Sequence, residues 1–181
     1  MSAGREAILE ATLRVIAVRG VDAATHRAVA AEAGVSPALT TYHFASKQAL
    51  VAEALELVVE RSLEQVHGLA PRGSISRDEL SERLTGFALV QLSDRRAPLA
   101  AQFELILEAA RRPGLRPLAE RWDGAYTGEL AALARAAGLD EPALAAEVLS
   151  AVLEGALMAA HSRGAGEDLL RPLIRRAVNG L

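Results

Sequence analysis

The chain has 181 residues, of which 51% are hydrophobic and 3% aromatic, and its formal net charge is −3 at pH 7. The expected core is therefore built mainly from Ala, Leu and Val, which favours an all-α protein. Cysteine is absent, which excludes disulfides and thiolate metal sites. We expect a soluble, unexported, cytoplasmic protein, because Arg5 and Glu6 precede any apolar run and Glu147 and Glu154 interrupt the longest one.

Helical spacing and capping residues predict four helices in the first third of the chain. Thr25, Ser36 and Ser46 are the expected N-caps, and Gly34 is the expected left-handed residue that ends the second helix. Phe44 is expected in the core. The predicted segments are 4–19, 25–33, 36–44 and 46–67.

A Gly-, Pro- and Ser-containing stretch at 68–76 is the first long loop signal, and a larger helical body follows it. The chain shows no period-2 strand pattern of useful length, so this body is also predicted to be helical. Its predicted segments are 77–93, 97–111, 115–138, 141–162 and 167–179.

Two short helices separated by Gly34–Ser36 are typical of a helix-turn-helix, whose second helix enters the major groove of DNA. Residues 1–50 carry a net charge of +1 and residues 51–181 a net charge of −4, which permits a DNA-facing N-terminal end. Arg27 is suited to a bidentate guanine contact, and small apolar groups suit thymine methyls. The candidate base-reading residues are Arg27, Pro37, Ala38, Leu39 and Tyr42.

The same segment supplies polar side chains suited to phosphate. Lys47, the single lysine of the chain, stands in the first turn of a helix, where the helix dipole disfavours a cation unless an anion lies nearby. The candidate phosphate-binding residues are Thr25, His26, Thr41, His43 and Lys47. His26 and His43 are alternatively solvated surface histidines. No third ligand has recognisable spacing, so we expect no metal site, and no cofactor is indicated.

The last two predicted helices are unusually apolar. The segment 141–162 is apolar around most of its circumference, so it needs two neighbours rather than one. A four-helix dimer interface would supply them, and the alternative is that both helices lie inside a monomer. The candidate interface residues are Val148, Ala151, Val152, Gly155, Met158, Leu170 and Ile174.

Over residues 5–55 the sequence resembles the TetR family of bacterial transcriptional regulators. The motifs that carry the resemblance are Thr25-x-Arg27-x-Val29-Ala30, Ala33-Gly34-Val35-Ser36, Tyr42-His43-Phe44 and Ser46-Lys47-x-x-Leu50. The resemblance implies about nine helices, with a DNA-binding helix-turn-helix domain at 1–46 and an effector-binding and dimerisation domain at 47–181. It also implies a homodimeric repressor that a small hydrophobic ligand releases from a palindromic operator.

Thr40 and Thr41 depart from the family pattern, which often has Leu or Val followed by Tyr at these positions. Thr40 is therefore expected to pack more weakly against the second helix. Thr41 is expected to have a shorter reach towards phosphate.

A ligand pocket in the body is likewise implied by the resemblance. Each candidate is alternatively an ordinary core or surface residue, and an apolar, aromatic-lined pocket suits a hydrophobic effector. The candidates, which are bulky or polar side chains at helical spacing, are Phe87, Gln91, Gln102, Phe103, Glu104, Trp122 and Tyr126.

Other functions stay open at this point. The chain is alternatively an activator, an effector-independent DNA-binding regulator or, more remotely, an all-helical interaction module. An enzyme is not expected, because no nucleophile triad, phosphate loop or dinucleotide fingerprint stands in the sequence.

Overall fold

The computed structural model describes residues 3–93 and 96–181. Over these residues the chain forms nine α-helices and no strand, which confirms the predicted all-α fold. Short 3-10 helices lie at Val21–Ala23 and Pro113–Leu115. The α-helices are α1 (Ala3–Arg19), α2 (His26–Ala33), α3 (Pro37–His43), α4 (Lys47–Val66), α5 (Arg77–Ser93), α6 (Arg96–Arg111), α7 (Arg116–Ala136), α8 (Pro142–Arg163) and α9 (Glu167–Gly180).

The first helices begin where their capping side chains satisfy free backbone N–H groups. The hydroxyl of Thr25 accepts a hydrogen bond from the Ala28 N–H at 3.2 Å, and that of Ser36 accepts one from the Leu39 N–H at 3.2 Å. The hydroxyl of Ser46 accepts from the Ala49 N–H at 3.1 Å. All three predicted caps are confirmed.

The first of two compact units comprises Met1–Ser62 and Ala97–Arg121. In it α1 packs against α2 and α3, and Phe44 is buried as predicted. The Ser62 hydroxyl donates to Gln102 at 3.3 Å and links α4 to α6. The helix-turn-helix therefore shares one core with most of α4 and α6. Its largest fully buried side chains include Ile8, Leu9, Leu13, Ile16, Phe44, Leu50 and Leu55.

The second unit comprises Leu63–Arg96 and Trp122–Leu181. Its helices α5, α8 and α9 contact one another in all three pairs. The Arg77 guanidinium donates to the Val178 carbonyl at 3.0 Å and ties the start of α5 to the end of α9. Burial of each large aliphatic side chain contributes about 1.5–3 kcal/mol. The buried residues include Leu80, Leu84, Leu130, Leu133, Leu149, Leu153, Leu157, Leu170, Ile174 and Val178.

Helix α8 is the one helix in the described ranges that is long and apolar enough to cross a membrane, with a mean hydropathy of 1.7 over its most apolar window. Its buried stripe packs against α5 and α9, and 44% of that window is buried. The same composition is expected of a core helix of a soluble protein, so this feature by itself is weak support for a membrane span.

The residue before α8 is in a strained conformation. Glu141 has φ 45° and ψ 62°, makes no side-chain capping bond, and precedes Pro142. We expect Glu141→Gly to raise the free energy of unfolding by about 1 kcal/mol, because glycine adopts left-handed dihedrals without a Cβ clash. Urea unfolding at fixed protein concentration measures this change.

The matched control is Glu120→Gly at an exposed position within α7. There the same substitution should lower the free energy of unfolding by about 1 kcal/mol. A loss of stability in both variants would contradict the assigned strain at Glu141.

Candidate DNA-binding interface and effector site

The turn between α2 and α3 is set by one left-handed residue. Gly34 has φ 67° and ψ 29°, and its N–H donates to the carbonyls of Ala30 and Ala31 in the last turn of α2. The Val35 N–H then returns to the Ala30 carbonyl at 3.0 Å. Ser36 follows in extended conformation and caps α3. This arrangement closes the end of α2 and starts α3 within three residues.

Four of the five predicted base-reading residues lie on α3, three of them in its first turn, and the fifth lies on α2. Pro37 and Ala38 are exposed, Leu39 is half-buried, and Tyr42 is 82% exposed. Arg27 is exposed on α2 and forms no ion pair with another described residue. These side chains are therefore free to contact a molecule that docks against α2 and α3.

The predicted phosphate-binding residues differ in how far the protein already engages them. The Thr25 hydroxyl oxygen accepts the capping hydrogen bond from Ala28, so the hydroxyl proton can still be donated to another group. The Thr41 hydroxyl is within bonding distance of the Ala38 carbonyl at 3.0 Å. His43 is half-buried, with its ring 5.1 Å from Tyr42 and 6.3 Å from Phe44 between centroids. Thr25 and His43 therefore each keep a polar group that no described residue occupies.

Lys47 belongs to a charge network around Asp22. The Lys47 ammonium donates to the Asp22 carbonyl at 2.7 Å and lies 3.6 Å from its carboxylate. Arg112, just beyond α6, donates to the same carboxylate at 3.0 Å. The hydrogen bond from Arg112, and then the charge of Lys47, lower the pKa of Asp22. Because an ammonium has three donors, Lys47 can make this contact and also meet an anion.

Thr40 contacts α2 through hydrogen bonds. The side chain is fully buried, and its hydroxyl donates to the Pro37 carbonyl at 2.8 Å. The same oxygen lies 3.3 Å from Nδ1 of His26, a half-buried residue at the start of α2. At position 40, where the family pattern often has Leu or Val, this chain therefore joins α3 to α2 by a hydrogen bond between Thr40 and His26.

The predicted pocket residues fall in both compact units. In the second unit Trp122 and Tyr126 stack with centroids 4.9 Å apart and planes at 17°, and Phe87 lies 6.1 Å from Tyr126. Gln91 is buried in the same unit. In the first unit Gln102 is buried against Ser62, while Phe103 and Glu104 are half-buried. The structure therefore brings three of the predicted aromatic residues together.

Glu154, a titratable residue near the aromatic rings, is not among the residues predicted from the sequence to line a pocket. Glu154 is a half-buried residue of α8 in the second unit. Burial, and then the charge of Asp123, raise the pKa of its carboxyl group. Burial, and then the charge of Glu154, raise the pKa of Tyr126. The signal available in the sequence was a carboxylate that interrupts the longest apolar run, a feature that Glu154 shares with Glu147.

The predicted interface residues also separate into two groups. On α8, Val148, Ala151, Gly155 and Met158 are exposed, and Val152 is half-buried. On α9, Leu170 and Ile174 are buried in the core of their own unit. Leu173 is the large exposed hydrophobic of α9. The exposed apolar face therefore consists mainly of α8. No group of three or more His, Asp or Glu suited to a metal occurs among the described residues.

Comparison with known proteins gives matches along most of the chain. The family model "Bacterial regulatory proteins, tetR family" matches residues 8–54, and "Tetracyclin repressor-like, C-terminal domain" matches residues 76–181. The HTH-type transcriptional regulator PksA of Bacillus subtilis is 34% identical over 44% of this chain and 39% of its own length. The regulator BetI of Agrobacterium fabrum is 31% identical over 83% of this chain and 73% of its own length. The match thus spans well under half of PksA.

Solved structures match over nearly the full chain. A transcriptional regulator from Rhodococcus sp. Rha1 has a TM-score of 0.84 at 23% identity, covers 99% and 95% of the two chains, and supports the fold. A regulator from Saccharomonospora viridis in complex with choline has a TM-score of 0.79 at 25% identity, with 99% and 97% covered. The multidrug binding protein EbrR in complex with imidazole has a TM-score of 0.65 at 31% identity, with 98% and 96% covered. EbrR is also known in complex with proflavin.

The buried hydroxyl of Thr40 provides a direct test of the α2–α3 contact. We expect Thr40→Val to lower the free energy of unfolding by about 1 kcal/mol, because it removes the bond to His26 while keeping the side-chain shape. Urea unfolding measures the loss.

Thr41→Val is the matched control. Its hydroxyl is exposed and bonds only within α3, so the expected change is below about 0.5 kcal/mol. Equal stability of wild type and Thr40→Val would show that the hydroxyl contributes nothing to the contact.

Proposed function

The chain belongs to the TetR family of bacterial transcriptional regulators, and we propose that it is a homodimeric repressor that leaves its operator DNA when a small organic molecule binds. The DNA-binding part of this proposal is carried by the exposed N-terminal part of α3. Pro37 and Ala38 offer small apolar surfaces that suit thymine methyl groups. Tyr42 stands one turn further along the same helix and reaches a base edge or a phosphate.

Arg27 supports sequence reading from α2. Its guanidinium presents a planar fork of donors that matches the O6 and N7 acceptors of guanine. The absence of a described ion-pair partner leaves that fork free. Lys47, Thr25 and His43 are proposed to hold phosphate, which fixes orientation without reading sequence. The proposed DNA-binding domain is 1–46, and the proposed effector-binding and dimerisation domain is 47–181.

The proposed dimer rests on the exposed apolar face of α8. Met158 is 50% exposed and Val148 is 37% exposed, and Ala151 and Gly155 lie between them at helical spacing. Small residues at the centre of such a face allow two helices to approach closely. An isologous pairing of this face with its copy would bury the apolar side chains of both chains.

The effector part of the proposal is supported by related proteins. The neighbours from Saccharomonospora viridis and EbrR bind choline, imidazole and proflavin, all of which are small organic molecules. The aromatic cluster of Phe87, Trp122 and Tyr126 is the proposed counterpart in this chain. Of the other predicted lining residues, Gln91 lies in the same unit and stays part of this proposed site, while Gln102 and Phe103 lie in the first unit.

A route from the body to the DNA-binding helices is proposed through Asp22. This residue precedes α2, and its carboxylate is shared between Lys47 at the start of α4 and Arg112 beyond α6. If effector binding favours a state in which Arg112 leaves Asp22, the carboxylate holds Lys47 alone and competes with phosphate for it. A ligand that prefers that state shifts the equilibrium towards release from DNA.

Two alternatives stay within DNA binding. An activator would bind the same operator and increase transcription, and an effector-independent regulator would bind it with an affinity that no ligand changes. A reporter gene under the selected operator distinguishes the three by the sign and ligand dependence of expression. We assign no catalytic step to the chain.

Selection of bound sequences from random double-stranded DNA tests the proposal as a whole. We expect a palindrome whose half-site centres lie about 10 bp, or a multiple of that, apart, because two recognition helices must enter successive turns of the major groove. Enrichment of no sequence would overturn specific DNA binding. A single unrepeated half-site would overturn the dimer.

Three single substitutions of arginine or lysine, measured by their affinity for the selected operator, test the roles proposed for individual residues. Arg27→Ala should weaken binding by about 1–3 kcal/mol per half-site and relax preference at one base pair. Lys47→Ala should weaken binding to all sequences and reduce the salt slope by about one per subunit. Arg111→Ala is the control, since this exposed arginine of α6 pairs with Glu108. Equal operator affinities of all four proteins would contradict the assigned roles.

A charge on the exposed α8 face tests dimerisation. Met158→Glu places two carboxylates close together across an isologous interface, so we expect the dimer dissociation constant to rise about 100-fold or more. Sedimentation velocity over a concentration series measures it. Val18→Glu is the control, because Val18 is an exposed hydrophobic of α1; a shift of equal size in both variants would place the interface elsewhere.

A further inference from the structure

The second compact unit holds an acidic and aromatic cluster, formed by Trp122, Asp123 and Tyr126 of α7, Phe87 of α5 and Glu154 of α8. The Trp122 and Tyr126 rings are nearly parallel with centroids 4.9 Å apart. The Phe87 ring lies 6.1 Å from that of Tyr126. Three aromatic rings are thus gathered in one place, and the stack covers one face each of Trp122 and Tyr126.

Glu154 gives this cluster a negative charge that no described cation balances. Its carboxylate forms no ion pair within the described residues, whereas the half-buried Glu53 pairs with Arg5. The charged neighbour that acts on Glu154 is the acidic Asp123. A half-buried carboxylate beside a second one is unfavourable in the absence of a positive group.

Trp122 adds an unused donor. Its side chain is 6% exposed, and its Nε1–H has no hydrogen-bond partner among the described residues. A buried N–H without an acceptor costs about 1–3 kcal/mol, and such groups usually mark a missing partner. An oxygen atom of a ligand would satisfy it.

Ring faces, an unbalanced carboxylate and a free N–H together describe the chemistry of a complementary molecule. A cation gains energy over aromatic faces when it lies within about 6 Å of the ring centroids, most of all over tryptophan. A carboxylate strengthens that attraction and repels anions. An acceptor oxygen on the same molecule would take the Trp122 N–H.

We propose that this cluster is the effector site and that its ligand is a small organic cation bearing a hydroxyl or carbonyl oxygen. This inference rests on the proposed effector-responsive function and narrows the hydrophobic effector expected from the sequence to a cationic one. A neutral apolar ligand would leave Glu154 unbalanced and the Trp122 N–H without an acceptor, so the site should discriminate against it.

The fluorescence of Trp122 tests the proposal directly, because it is the single tryptophan of the chain. The probes are choline, benzyltrimethylammonium and 3,3-dimethylbutan-1-ol, the last being the neutral isostere of choline. We expect both cations to change the emission saturably, and choline to bind at least about tenfold more tightly than its isostere, since a desolvated charge pair is lost in the latter. No saturable change with either cation at millimolar concentrations would overturn the proposal.

Glu154→Gln and Glu147→Gln form a matched pair on α8, the second being at an exposed position. Glu154→Gln should weaken choline binding about tenfold or more while leaving the isostere unchanged, and Glu147→Gln should change neither. Equal choline affinity of Glu154→Gln and wild type would also overturn the proposal.

The fold of Glu154→Gln is checked by its unfolding curve. The carboxyl pKa is raised in the folded protein, so ionisation of Glu154 lowers stability as the pH rises through that pKa. Glu154→Gln should therefore be at least as stable as wild type at neutral pH.

Operator binding without added probe separates the two proposals. Wild type that binds its selected operator but neither cation would retain the DNA-binding function and lose this inference. Wild type that binds the cations but no DNA would lose the proposed regulatory function alone.

Discussion

The DNA-binding geometry depends on the left-handed backbone of Gly34. At φ 67° a side chain would be strained, so glycine lets α2 end and α3 begin within three residues. Ser36 then caps α3, and Phe44 at its other end is buried in the core. The helix is held at both ends, which leaves Pro37 and Ala38 in its first turn and Tyr42 in its last turn exposed to solvent.

The charge network around Asp22 gives this rigid module a contact with the helical body inside one compact unit. Asp22 is itself fully exposed to solvent, so each ion pair there is weak and sensitive to salt. Weak contacts suit a switch, because a ligand needs only a modest difference in affinity to change which partner the carboxylate holds. Lys47 takes part both in that network and in the proposed phosphate contact.

Helix α8 has a buried apolar side and an exposed apolar side. Leu149, Leu153 and Leu157 are buried in the core of the second unit, while Val148 and Met158 are exposed at the proposed dimer face. The proposed dimer would cover the exposed apolar side, so that both apolar sides of the helix would be buried. The inferred ligand chemistry depends on Glu154, which stands between the two apolar stripes.

The local elements of this protein follow closely from the sequence. Caps such as Ser36, the turn glycine Gly34 and the helical periodicity of apolar residues act over a few residues, so their effect is readable from the chain alone. The helix boundaries consequently agree within about two residues. The resemblance over residues 5–55 depends on the same short-range features.

Contacts between distant residues were decided only by the tertiary structure. The sequence alone did not indicate that the Thr40 hydroxyl would meet His26, or that Arg112 would reach Asp22 from 90 residues away. Nor did an apolar stripe on α9 tell whether Ile174 would face a partner chain or its own core. Periodicity defines which side of a helix is apolar, whereas the neighbour that covers that side is chosen by packing of the whole chain.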